Sequence, residues 1–254
     1  MKIKLAETVF EFEIENKKLL KACLLRYKGF FSKEKTDFKI KVETASLKKN
    51  PSKVKIELAP FFKIERGDLT FFLDEKEGFL KLRPSIYSFD SFLRIFSSFL
   101  FSQKDIFLAH GALALRKKKF FVFLGKSGAG KSTISAILKK SGFKILSDEL
   151  FYLSPKNKKL YVYSSPFWGE MKGRGKYFKG EAKEFFLLKK AGKNFRKKAL
   201  FKVFYSLFLR CIMNFSKSKK EGLSISNAAF LTFKISKPDF LFFSKKDNSF
   251  VKLL

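Results

Sequence analysis

Along the first 83 residues apolar and charged positions alternate with a period of two. Ile3 and Leu5 alternate with Lys2 and Lys4, and Phe10, Phe12 and Ile14 repeat the pattern in the opposite phase. That shift predicts strands joined by a bulge or bend around Glu7–Val9. KVKIEL and GFLKLR carry the same alternation, with Gly67, Asp68, Glu77 and Gly78 expected in turns. One wet face and one apolar face over short runs predict a mostly antiparallel β region over 1–84.

Pro84 closes that pattern, and a helical period replaces it. Phe89, Phe92, Leu93, Phe96, Phe99 and Leu100 fall on one stripe, so a core-facing helix is predicted, capped by Ser88 or Asp90. Two unbroken apolar runs follow, IFLAHGALAL and FFVFL, which read as buried strands around a turn at Arg116–Lys119. Ile134, Ile137 and Leu138 mark a short amphipathic helix that Gly142 stops. FKILSDELFYL, KKLYVYSS and EFFLL predict further strands, and Ala199–Phe215 a second amphipathic helix. AAFLTFKI, DFLFFS and SFVKLL read as short strands. Gly169–Gly180, rich in glycine and basic side chains, is expected to be a mobile loop. The best junction lies at Pro84, dividing 1–84 from 85–254.

Composition narrows the function classes. Hydrophobic residues make up 46% of the 254, enough to build a core. There are 36 Phe, and 55 Lys+Arg face 23 Asp+Glu, for a formal charge of +32. The basic residues scatter through RKKK, KNKK, RKK and KSKK instead of gathering into a tail, which favours a compositional bias. No helix-turn-helix, zinc-finger or RNP motif accompanies the charge, so nucleic acid is not the expected partner. The charge would still speed capture of an anionic substrate.

Cys23 and Cys211 are too few and too far apart for a disulfide framework or zinc site. No uncharged apolar run approaches the about 18 residues of a membrane span, and LFKVFYSLFL is broken by Lys202. The charged N-terminus does not read as a signal peptide. A soluble, cytoplasmic chain is expected, with a homo-oligomer left open.

The chemistry concentrates in LGKSGAGKST. Gly125-Lys126-Ser127-Gly128-Ala129-Gly130-Lys131-Ser132, with Thr133 after it, matches the Walker A pattern at every fixed position. A hydrophobic strand precedes it and an amphipathic helix follows, the context a phosphate loop requires. Glycines let successive backbone N–H groups turn toward phosphate oxygens, and the helix N-terminus adds its positive end. Lys131 would reach the outer phosphates, and the Ser132 hydroxyl would hold Mg²⁺. An acidic partner for the metal is needed, and Asp148, closing FKILS, is the candidate, with Glu149 beside it. In a regular strand these two carboxylates point to opposite faces, so only a strand end lets both meet one site. No LSGGQ-like signature of ATP-binding cassette proteins is present.

Four elements in order, AHGALAL, GKSGAGKST, ILSDEL and GEMKGRG, resemble the HPr kinase/phosphorylase-like family, whose fold is related to phosphoenolpyruvate carboxykinase. The likeness spans about Ser88 to Lys190. It implies an α/β (α+β) fold, with a mixed-sheet P-loop core of the HPr kinase catalytic-domain type following the N-terminal β region. It implies a Mg²⁺- and ATP-dependent kinase acting on a hydroxyl, such as serine of an unidentified protein or peptide. By the same resemblance Asp148 and Glu170 join Ser132 at the metal, and Glu149 serves as base with His110 near it; beyond the family pattern, Arg174 is an added candidate for contacting the transferred group. Glu149 stands where the family has aspartate, and Lys172 where its signature has arginine. On residue type alone His110 reads as a core histidine, Glu149 as a surface ion-pair partner, and Glu170 and Arg174 as solvated loop charges. Two other readings stay open: a nucleotide-dependent regulator or assembly factor without phosphotransfer, and a small-molecule kinase, since SGAGKST also resembles the loop of adenylylsulfate kinases.

Overall fold

The computed structural model describes residues 1–47, 53–59, 61–167, 169–170 and 175–254. The chain divides into two compact units, Met1–Leu100 with Asn214–Lys217, and Phe101–Met213 with Ser218–Leu254.

In the first unit, β1 (Lys2–Leu5) and β2 (Thr8–Ile14) form a hairpin whose two-residue turn sets Ala6 at φ 47°. The phase shift in the sequence is therefore a tight reversal, not a bulge. A helix the alternation did not reveal follows, α1 (Lys17–Tyr27), where Leu19 N–H donates to the Asn16 side chain at 2.9 Å. It buries Leu19, Cys23 and Tyr27, four residues apart on one face, while Leu24 and Leu25 stay exposed.

Because α1 returns the chain to the same edge, β2 and β3 (Phe38–Thr44) pair in parallel. β3 pairs in parallel with β7 (Glu77–Leu82), beyond which β6 (Leu69–Asp74), β5 (Phe62–Arg66) and β4 (Lys55–Glu57) run antiparallel. Among the described residues four of the sheet's six pairings are antiparallel, as expected, and the two that flank β3 are parallel, so the sheet is mostly antiparallel but mixed. Gly67–Asp68 form the expected turn, but Glu77 and Gly78 lie in β7; a Cβ on Gly78 would stand 2.6 Å from the Phe71 ring.

Helix α2 (Ile86–Ser102) carries the expected aromatic stripe, and up to Leu100 it belongs to this first unit. Phe89, Phe92 and Phe96 meet Phe12, Phe71 and Phe10 at ring-centroid distances of 5.1, 4.7 and 5.8 Å. Its start is capped by Ser85, whose Oγ accepts from Tyr87 N–H, and not by Ser88 or Asp90. Asp90 lies inside the helix and accepts from the Tyr27 hydroxyl at 2.9 Å and Arg94 Nε at 3.1 Å. Burial, then the nearby Asp90 charge, pushes the Cys23 thiol up to about 12.

The second unit is built on β8 (Phe107–Arg116), β9 (Lys119–Leu124), β11 (Leu150–Lys156), β12 (Lys159–Tyr163) and β13 (Lys179–Lys190). Each pairs with the next around a ring: β8 with β11, β11 with β12, β12 with β13, β13 with β9, and β9 with β8. β10 (Lys144–Ser147) extends β8, and β15 (Asp239–Phe243) with β14 (Phe195–Lys198) extends β13.

β9 is buried on both faces, which explains its unbroken apolar run. Phe121 and Phe123 join Ile134 and Leu138 of α3 (Lys131–Lys140) in one cluster. Val122 and Leu124 join Phe204 and Phe208 of α4 (Phe201–Cys211) and Ala228 of α5 (Lys219–Ser236) in the other. AAFLTFKI is the end of α5 and not a strand, and SFVKLL forms a 3₁₀ turn at Ser249–Leu253. Among the described residues no helix is long and apolar enough to cross a membrane.

Candidate nucleotide site

β9 ends at Leu124, and the chain turns tightly at once. Ala129 N–H donates to Lys126 O at 3.0 Å, and a Cβ on Gly125 would lie 2.7 Å from the Ala129 methyl. Gly128 and Gly130 adopt φ 76° and 97°, a left-handed region costly for other residues. A Cβ on Gly130 would also strike the Phe243 ring at 2.6 Å. Gly130 is the N-cap of α3 and supplies no side-chain cap, so first-turn amides are left for another acceptor.

Lys131 is only 8% exposed, and its ammonium donates to the carbonyls of Gly125 and Lys126 at 3.0 and 3.1 Å. Burial holds its pKa below the usual lysine value, opposed by the Cys211 sulfur. Cys211, near the end of α4, lies against the same Gly125 carbonyl at 3.9 Å, and burial pushes its thiol up.

The acidic corner is an interruption along one edge of β8. There β10 pairs up to Ser147 with Leu113, β11 resumes with Leu150 opposite His110, and the β10–β8 register slips between Ile145 and Ser147, while β9 holds the other edge. The single strand read in FKILSDELFYL is thereby cut into β10 and β11, with Asp148 and Glu149 in the break. Its backbone is pinned from three sides. Glu149 N–H donates to Ser147 Oγ at 3.3 Å, Ser147 Oγ donates to Leu150 O at 2.5 Å, and Gly111 N–H donates to Glu149 O at 2.9 Å. Gly169 closes over the corner: its N–H donates to Asp148 Oδ1 at 3.0 Å, and a Cβ there would lie 3.2 Å from Glu149 Cβ.

These parts meet in one cleft of about 310 Å³. Ser127, Gly128, Gly130, Lys131, Ser132 and Thr133 line it on the loop side, and His110, Asp148, Glu149, Gly169 and Glu170 on the acid side. Gly125, Lys126 and Ala129 shape the loop without lining the cleft. Arg174 and Lys172 lie outside the described residues, as does part of the expected Gly169–Gly180 loop, whose last residue, Gly180, is in β13. Lys190, at the end of β13, also lines the cleft and was not foreseen. The supports Ser147 and Gly169 were missed as well, because serine and glycine carry no signal apart from their neighbours.

The donor set fits Mg²⁺. A hydroxyl and two carboxylates are hard oxygen ligands, and Mg²⁺ takes few protein groups while keeping water and phosphate oxygens. Among the described residues no three His, Cys, Asp or Glu side chains form a metal cage on their own.

No known family profile matches the chain, and no curated protein matches it in sequence. Among solved structures, the Hpr(Ser) kinase/phosphatase from Coxiella burnetii is similar over 57% of this chain and 94% of its own, at 12% identity and a TM-score of 0.31. Identity and score at that level assign neither family nor activity.

Proposed function

We propose that the cleft binds Mg²⁺ and ATP and that the protein is a phosphotransferase acting on a hydroxyl, with serine of a protein or peptide as acceptor. The observation that carries the reading is the shared cleft: the phosphate loop, the pinned Asp148–Glu149 corner and His110 open onto the same space. The motif order in the sequence supports the acceptor class.

Loop amides around Gly128–Ser132 would bind the phosphate chain, with Lys131 exchanging its two carbonyl partners for outer phosphate oxygens. Ser132 and Asp148, with Glu170, would hold Mg²⁺, which neutralises charge on the phosphates. Glu149, with His110 near it, would take the acceptor proton. The acceptor oxygen then forms its bond to the terminal phosphorus as the bond to ADP breaks.

The test is the fate of γ-labelled ATP incubated with wild type or Asp148→Asn and a cell extract. Label on a serine-containing acceptor, lost about 100-fold or more in the variant, is expected. Label released only as inorganic phosphate would sink the kinase claim in favour of an ATPase regulator. Label on a metabolite alone would instead make it a small-molecule kinase.

A further inference from the structure

β13 passes beside the phosphate loop on the flank opposite the acidic corner. β9 lies between β8, which leads to that corner, and β13, whose Leu187 pairs with Leu124. Side chains along β13 alternate between the two cores: Phe185 and Leu187 join the cluster with α4, and Phe186 and Leu188 the cluster with α3. Continuing that alternation puts Lys190 on the α3 face, beyond the end of β9 and level with the loop. Its Cε lies 3.3 Å from where a Cβ on Gly130 would stand, so the aliphatic stem runs over the glycine that caps α3. Its side chain borders the cleft. Among the described residues Lys190 has no carboxylate partner, in a unit where Arg196 and Lys198 are both paired with Asp239.

An ammonium held at a phosphate loop with no counter-charge is poised for an anion. We infer that Lys190 is a second phosphate-binding cation, gripping the nucleotide's phosphate chain from the side away from Asp148. This rests on nucleotide binding as proposed above, but not on phosphate transfer. Lys190 thereby complements Lys131, which is buried at the floor of the loop, whereas Lys190 reaches in from the rim. It acts on ground-state binding, so ADP and ATP feel it alike.

The experiment is calorimetric titration of Mg-ATP and Mg-ADP into wild type, Lys190→Ala and Lys190→Arg, at low and high salt. Lys190→Ala is expected to weaken both nucleotides about tenfold and to flatten the salt dependence, as loss of one charged contact does. Lys190→Arg should stay near wild type. All three should melt together, because the side chain is exposed. Equal affinities in wild type and Lys190→Ala would overturn the assignment. Wild type that binds nucleotide through Lys190 but transfers no phosphate would leave it standing and remove only the kinase reading; wild type that binds no nucleotide would remove both.

Discussion

At the residue scale, the site depends on glycines whose reasons differ. Gly128 has φ 76° and open space around its Cα, so alanine there meets backbone strain alone, about 1–2 kcal/mol. Gly130 combines φ 97° with the Phe243 ring in the space a methyl would fill. Gly130→Ala should therefore cost about 3 kcal/mol or more, since strain and a displaced aromatic ring add. Urea unfolding of the two variants checks the order; equal losses would mean the ring yields freely. The motif singles out Lys131 as a candidate, but it says nothing of the residue's burial or its two carbonyl partners. The carbonyls belong to the loop itself, whereas Cys211 at the end of α4 lies against the same Gly125 carbonyl, a contact no local pattern announces.

At the scale of elements, legibility followed periodicity. The stripe on α2 and the runs of β8 and β9 read directly, because one face or both are uniformly apolar. α1 was hidden because its buried face holds only Leu19, Cys23 and Tyr27 among lysines and two exposed leucines. The end of α5 misled for a related reason: AAFLTFKI mixes β-branched and aromatic residues that suit either structure. The break at Asp148–Glu149 could be argued only from the need for two carboxylates to share a site.

The edge strand β14 gives a prediction with a defined sign. Asp239 on β15 accepts from Arg196 Nε at 2.9 Å and pairs with Lys198 at 3.0 Å. Burial raises its pKa, but the Arg196 and Lys198 hydrogen bonds and charges outweigh burial and hold the carboxyl below its ordinary 3.8. A depressed carboxyl stabilises the fold above 3.8, and that contribution disappears as pH falls through the lower folded value. Asp239→Asn should thus be less stable by about 1–3 kcal/mol from pH 7 to about 5, with the gap closing below 3.8. A gap that persists at about pH 2 would contradict the ion-pair account.

At the scale of the molecule, the formal charge of +32 is spread over the chain, and it neither named a partner nor obscured the site. What sequence order supplied was the succession of strand, glycine-rich loop, helix and acidic pair. What it could not supply was closure, since the ring of five strands depends on pairings between segments far apart, such as β9 with β13. Placing Lys190 required that pairing. The central claim is that this closure builds one phosphate-binding cleft governed by Lys131. Titration calorimetry with Mg-ATP tests it most directly, comparing wild type with Lys131→Ala. Saturable heat in wild type, absent from a variant that still unfolds cooperatively, is the predicted result; no heat in wild type, or equal binding in both proteins, would contradict it.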